Sequence, residues 1–315
     1  MRHIEFKKRP RGLRKCAAWA LSTALLSMTW AQAQADQTTL RWVGCGISKK
    51  SYVTALAKAY EERTGIKVDL QGGGATKGIR DVAAIEADVG GSCRRKLQGA
   101  SVESAAKLVP VAWDALAVIT HKDNPVDNIS VAQLQDMMRG EIDNWSELGG
   151  PDADIELFVR EGKISGVGHA LRAVLFNDPE LEFGAADQRF ASSGPLEKAV
   201  TAAPHSVGIT GVSSARKRDV KILQLEGKEP SYENVRSGDY LLYRPLYLVH
   251  NTDSPRSDEI KRFIQFAYSK EGMDIISANG TVPYLEAMHL LRKSRNEIFK
   301  ARGNSDFLAQ TQGRD

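Results

Sequence analysis

Strand-like and helix-like patterns alternate from residue 40 to residue 93, and a glycine turn follows each strand. Leu40-Arg41-Trp42-Val43 reads as a strand. Val53, Leu56, Ala57 and Tyr60 then fall at i, i+3, i+4 and i+7, the spacing of an amphipathic helix, which Thr64-Gly65 ends. Ile66, Val68 and Leu70 alternate with Lys67 and Asp69 as a second strand, Ile79, Val82 and Ala83 begin another helical face, and Asp88-Val89-Gly90 is a third strand. This βαβαβ order predicts parallel strands joined by right-handed crossovers. In such a sheet ligands bind at the carboxyl ends of strands. Those ends carry Gly44-Cys45-Gly46-Ile47-Ser48, Gly72-Gly73-Gly74-Ala75-Thr76-Lys77-Gly78 and Gly90-Gly91-Ser92-Cys93-Arg94-Arg95. Glycine brings backbone N–H groups close to a ligand, and Ser48, Thr76 and Ser92 add hydroxyls, so three such turns in register point to an anion site.

The rest of the chain keeps the α/β character. Val109-Pro110-Val111 and Ala115–Thr120 read as a strand run with a hinge-like proline, and Ser130 with Gln133 forms a capping box. Ile155–Val159 leads into Arg160-Glu161-Gly162; helical patterns follow at 168–176 and 195–203, a strand at Val207–Thr210, and an amphipathic helical region at 256–278. The apolar segments near 109–120 and 241–250 bracket a middle block. A chain that leaves one lobe, builds another and returns predicts two lobes joined by two crossings, with a ligand held between them.

Composition narrows the class. Of 315 residues, 42% are apolar and 26% charged, which excludes a disordered chain and a polytopic membrane protein. The net charge of +4 hints at nucleic acid, but seven of the 43 basic residues lie in the first 15 positions against Glu5 alone. An apolar run, Cys16–Trp30, and Ala31-Gln32-Ala33-Gln34-Ala35 follow. A basic start, a short apolar run and an A-x-A site predict a secretory signal peptide over 1–35, cleaved after Ala35, and a periplasmic protein. What remains is slightly acidic, so nucleic acid is not expected as a partner. No P-loop, G-x-G-x-x-G or H-E-x-x-H occurs, the histidines are scattered, and no nucleophile–base pair stands out. No cofactor and no metal are therefore expected, and enzyme function is disfavoured.

With these segments in place the chain resembles the periplasmic phosphate-binding (PstS-like) proteins of ABC importers. Gln71-Gly72-Gly73-Gly74-Ala75-Thr76-Lys77-Gly78-Ile79 looks like the family's Q-G-G-G-S-x-x-G-I, Ala87-Asp88-Val89-Gly90 like its A-D-I-G, and Asn144–Pro151 like a family hallmark; Val109–Val118 and Arg244-Pro245-Leu246-Tyr247-Leu248 resemble its two crossings. The resemblance implies an α/β fold of the type II periplasmic-binding class, with two hinge crossings and a cleft that closes on a tetrahedral oxyanion. It also implies lobes formed by 36–114 with 246–298 and by 115–245, and a frayed tail over 299–315. A small phosphate-like anion and an ABC permease or membrane sensor are the implied partners of a monomer. The implied ligand residues are Gly46, Ser48, Gly74, Ala75, Thr76, Ser92, Cys93, Arg94, Arg160, Ser165 and Gly166. The chain departs from the family where Ala75 replaces a serine, Cys93 an acceptor, and Val167 the threonine of R-x-x-G-S-G-T; Thr76 is a possible substitute, and Arg94 adds positive potential.

Cys45 follows the first strand and Cys93 the third, neighbours in the strand order this fold implies. Three readings stay open: a disulfide, a thiol pair that binds arsenite or a soft metal, and unrelated thiols. The expected function is capture of a small oxyanion for import or sensing. A thiol-based receptor is the alternative, and a secreted hydrolase a third.

Overall fold

The computed structural model describes residues 39–184 and 186–293. The signal segment expected at 1–35 and the frayed tail expected at 299–315 lie outside the described residues. Strands β1 (Thr39–Gly44), β2 (Lys67–Gly72) and β3 (Val89–Ser92) run parallel, β1 in the middle. The helical run Gly46–Thr64, with a π turn at Lys49–Val53, links β1 to β2, and helix Gly74–Ala83 links β2 to β3. Val53, Leu56, Ala57 and Tyr60 are all buried, and Gly65 ends their helix in the left-handed region, as the spacing predicts.

Strand β4 (Ala106–His121) is the spine of the molecule. β5 (Asn128–Ile129), β6 (Glu156–Arg160), β7 (Gln188–Phe190), β8 (Ser206–Gly211), β9 (Val220–Ile222), β10 (Gln224–Leu225), β11 (Tyr243–Asn251) and β12 (Val282–Pro283) follow it. The main sheet runs β2-β1-β3-β11-β4-β8-β6-β7, with β9 and β12 also on β4 and a separate β5–β10 pair. The first part of β4 pairs with β11 through Ala115, and its last part, Leu116–Thr120, pairs with β8. One strand thus carries the sheet from one half of the molecule to the other, and β11 returns beside it. This is a two-lobed α/β fold with two crossings.

Pro110 does not break β4. It sits opposite Tyr247 where the register with β11 slips by one residue, between Leu246 and Tyr247. A bulge is where a strand tolerates a residue without an N–H. The helical region at 256–278 is two helices, Ser257–Tyr268 and Lys270–Ala278, because Ser269 leaves the helix and caps the second one through Gly272 N–H.

The capping box of Ser130 and Gln133 forms as expected. Asn144 and Glu147 make a second one, which seats Trp145 in the core with its Nε1 donating to His205 O at 2.8 Å. The family-like Asn144–Pro151 segment is thus a packing device. Close approach of helix Gly74–Ala83 to the sheet depends on Gly78, where a Cβ would come within 2.8 Å of the carbonyl oxygens of Gly91 and Val43.

Candidate functional site

Three strand ends of one half and the helix Gly166–Leu171 of the other converge at the crossings. Gly44-Cys45-Gly46-Ile47-Ser48 reads as a loop, but the helix already starts at Gly46. Cys45 is extended at its N-terminus and accepts from Lys49 N–H at 3.0 Å. Gly74 and Gly166 likewise open helices rather than close turns.

Gly166 marks how tightly the halves meet. A Cβ there would lie 2.4 Å from Cys93 Sγ and 2.9 Å from Ala75 Cβ. Only a hydrogen at this position lets the second half rest on the strand ends of the first. Around it, Thr76 Oγ1 donates to Ile164 O at 2.8 Å and Arg94 Nε to the same oxygen at 3.0 Å. On another side Lys50 Nζ reaches Ser214 Oγ at 3.0 Å and Glu197 at 3.7 Å, and Lys217 Nζ donates to Lys50 O. The cleft is closed.

The side chains gathered here divide into those already engaged and those still open. Arg94 is 2% exposed and gives its N–H groups to Glu103, Thr76, Ile164 O and Arg95 O. Its role is a buried strut. Arg160 donates to Phe190 O, Ser193 Oγ and Ala191 O, all within its own half. Ser92 bonds to the Arg94 backbone, and Ser165 makes one long bond to Gly162 O. By contrast Ser48 is fully buried, and its hydroxyl has only the Tyr52 hydroxyl near it, without a well-formed hydrogen bond.

Two further residues complete the site and escape a search of the glycine turns. Arg244 begins β11 and is 3% exposed. Its Nη1 donates to Cys93 O at 3.0 Å and Gly166 O at 3.3 Å, so it touches both halves. Its Nε and Nη2 make no hydrogen bond, and Asp114 Oδ2 stands 3.6 Å from Nη2. Asp114 is buried too; burial pushes its carboxyl above the usual range, and its Oδ1 takes a long bond from Ser213 N–H. The signal for both was a charged residue inside an apolar strand, which water would normally reclaim unless it had a task.

Cys45 and Cys93 are brought together as expected. Both are buried thiols, with Sγ atoms 2.7 Å apart. Cys45 is held low, to about 6, mainly by its contact with the Cys93 thiol, against burial, with help from Arg244 and the N–H groups of Ser48 and Ile47. Cys93 is driven up by the same contact with Cys45 and by burial. Among the described residues no group of three or more His, Cys, Asp or Glu could hold a metal ion, and no helix is long and apolar enough to cross a membrane.

A closed two-lobed α/β cleft with converging strand ends and a buried arginine defines a binding protein of the periplasmic class. A profile of the PBP superfamily domain matches residues 32–271. The phosphate-binding protein PstS of Borreliella burgdorferi is 30% identical over 194 residues, covering 59% of this chain and 69% of the relative. PstS of Bacillus subtilis is 25% identical over 233 residues, covering 73% and 76%. Among solved structures, an ABC-transporter substrate-binding protein of Clostridium perfringens with bound phosphate superposes with a TM-score of 0.69 at 27% identity, covering 78% of this chain and 99% of that one. An ABC-type phosphate transport receptor of Vibrio cholerae gives 0.61 at 26% identity, covering 77% and 99%. The chain belongs to the PBP superfamily and, within it, to the PstS-like binding proteins.

The latch at Lys50 carries a modest prediction. Lys50→Ala removes the link to Ser214 and Glu197, while Glu197 keeps Arg218 and Thr210. A half-exposed pair of this kind contributes about 0.5–1 kcal/mol, so ligand affinity should fall only a few-fold in calorimetry, with the melting temperature nearly unchanged.

Proposed function

We propose that the protein captures a small tetrahedral oxyanion, phosphate or a close analogue, by closing its two lobes, and hands it to an ABC permease or membrane sensor. One observation carries this reading: at the meeting point of the strand ends, Arg244 Nε is buried with no hydrogen-bond partner, Nη2 has only Asp114 at 3.6 Å, and the Ser48 hydroxyl is buried with only the Tyr52 hydroxyl beside it. Unsatisfied buried donors are costly and are kept where a ligand completes them. Backbone N–H groups around Gly46, Gly74 and Gly166 add the polarity an anion needs, and the PstS relatives, by name, bind phosphate. Arg160, Ser165, Thr76 and Ser92 shape the walls, and Ala75, Cys93 and Arg94 the floor. The lobes are 36–114 with 246–298 and 115–245, and the motion is a hinge where β4 and β11 cross. The protein works as a non-enzymatic monomer in the periplasm after loss of residues 1–35.

The thiol reading has one observation in its favour, the contact of Cys45 and Cys93. Geometry weighs against a bridging ion. Metal–thiolate bonds are about 2.3 Å, so two sulfurs on one ion stand roughly 3.7–4.6 Å apart, well beyond 2.7 Å. Calorimetry with phosphate, sulfate, arsenate and arsenite, with and without reductant, decides. Saturable binding of phosphate or arsenate is the expected result. Binding of arsenite alone, and only when reduced, would sink the oxyanion reading.

A further inference from the structure

In the oxyanion reading Cys93 is only part of the cleft floor, and the contact of its thiol with Cys45 is left without a role. The two cysteines directly follow neighbouring parallel strands, 48 residues apart in sequence, and the strand register brings their sulfurs to 2.7 Å. A disulfide bond is about 2.05 Å long, so a shift of well under 1 Å joins them. The two sulfurs are not equivalent: Cys45 caps the helical run that opens at Gly46 and is the more exposed of the two, 5% against 1%, which makes it the attacking member. Access is conditional. Cys45 is 5% exposed and Cys93 1%, and Gly166 of the other half lies directly on Cys93. Nothing from solvent reaches either sulfur until the halves part.

We propose that Cys45 and Cys93 form a reversible dithiol–disulfide couple that exchanges only in the open state, and whose redox state sets the anion affinity of the cleft. The affinity part rests on the oxyanion reading above. The oxidant is a low-molecular-weight disulfide, R–S–S–R. The Cys45 thiolate attacks one of its sulfurs, the S–S bond breaks and RS⁻ leaves, giving a mixed disulfide on Cys45. Cys93 then loses its proton and attacks Cys45 Sγ, expelling the second RS⁻. Overall the two cysteines give up two electrons and two protons, Cys45 its proton to solvent before it attacks and Cys93 its proton as it attacks, and R–S–S–R takes up the two electrons and two protons from solvent to become two R–SH. Arg244 lies against this pair, its Nη1 donating to Cys93 O at 3.0 Å. Reduced cysteines can ionise there and compete with an incoming anion for the arginine, whereas a disulfide cannot, so oxidation raises anion affinity by about tenfold or more.

The test uses oxidised glutathione as the oxidant and inorganic phosphate as the ligand. Non-reducing peptide mapping should find Cys45 linked to Cys93 in wild type. The link should form faster in Gly166→Val, which holds the halves apart, and more slowly with saturating phosphate. Calorimetry should then show tighter phosphate binding to the oxidised than to the reduced protein, a difference that vanishes in Cys45→Ser/Cys93→Ser. The couple is overturned if the link fails to form in wild type and in Gly166→Val alike. Equal phosphate affinity in the two redox forms overturns the coupling. Formation of the link with no phosphate binding in either form supports the couple, and overturns the oxyanion reading together with the affinity claim built on it.

Discussion

Gly166→Val should lower phosphate affinity by about a hundredfold or more, ~2.7 kcal/mol, while the protein still folds. The site explains both halves of this result. The first side-chain carbon at 166 would fall 2.4 Å from Cys93 Sγ and 2.9 Å from Ala75 Cβ, and valine adds two more carbons. Carbon and sulfur atoms in contact need roughly 3.5–4 Å, so the halves must part by more than 1 Å. That separation stretches the bonds from Thr76 and Arg94 to Ile164 O and the bond from Arg244 to Gly166 O. The atoms in conflict lie on opposite halves, so neither half is disturbed internally. Thermal unfolding should remain cooperative, with a melting temperature close to wild type, while calorimetry reports the loss of affinity. Wild-type affinity in this variant would mean that the closed contact at Gly166 is not part of ligand capture.

Arg244→Met is expected to harm both stability and binding. Breaking a buried ion pair by removing one partner costs about 3–5 kcal/mol, because the remaining charge is left without compensation. Here that charge is Asp114, which burial already pushes towards protonation. A carboxyl whose folded-state pKa is raised favours folding at low pH and loses that contribution as pH climbs through the folded value. Without Arg244 the carboxyl rises further. The variant's deficit in urea unfolding should therefore be largest at pH 7–8 and shrink towards pH 5. Arg244→Met/Asp114→Asn should recover most of the stability at neutral pH. Phosphate binding should not return with it, since the ligand would still lack Nε and Nη2, and each hydrogen bond to a charged group contributes about 1.5–3 kcal/mol. The double variant separates the two roles of Arg244: a bolt between the halves, and a donor to the anion.

Much of the fold was legible because its signals are local and repeated. The i, i+3, i+4, i+7 face from Val53 to Tyr60, the alternation of Lys67–Leu70 and the glycine at each strand end each follow from one physical rule, and together they order β1, β2 and β3. The proximity of Cys45 and Cys93 followed from that order. That Pro110 sits at a bulge was not legible, because a bulge depends on what the partner strand does, and β11 lies more than 130 residues away. The site was harder for a related reason. Glycine turns show where a ligand can approach, but not which side chains remain available after folding. Arg160, Arg94 and Ser92 looked suitable and are engaged by Phe190, Glu103 and the Arg94 backbone. Arg244 and Asp114 are distant in sequence from every glycine turn, and only the pairing of β4 with β11 sets them side by side.

The central claim is that the anion is held at Arg244 and Ser48, between the closed halves. A crystal structure of the reduced protein grown with phosphate tests it most directly. The account predicts the ion within hydrogen-bonding distance of Arg244 Nε or Nη2 and of Ser48 Oγ. An ion bound outside the closed cleft, or one held by Arg160 with Arg244 and Ser48 untouched, would contradict it.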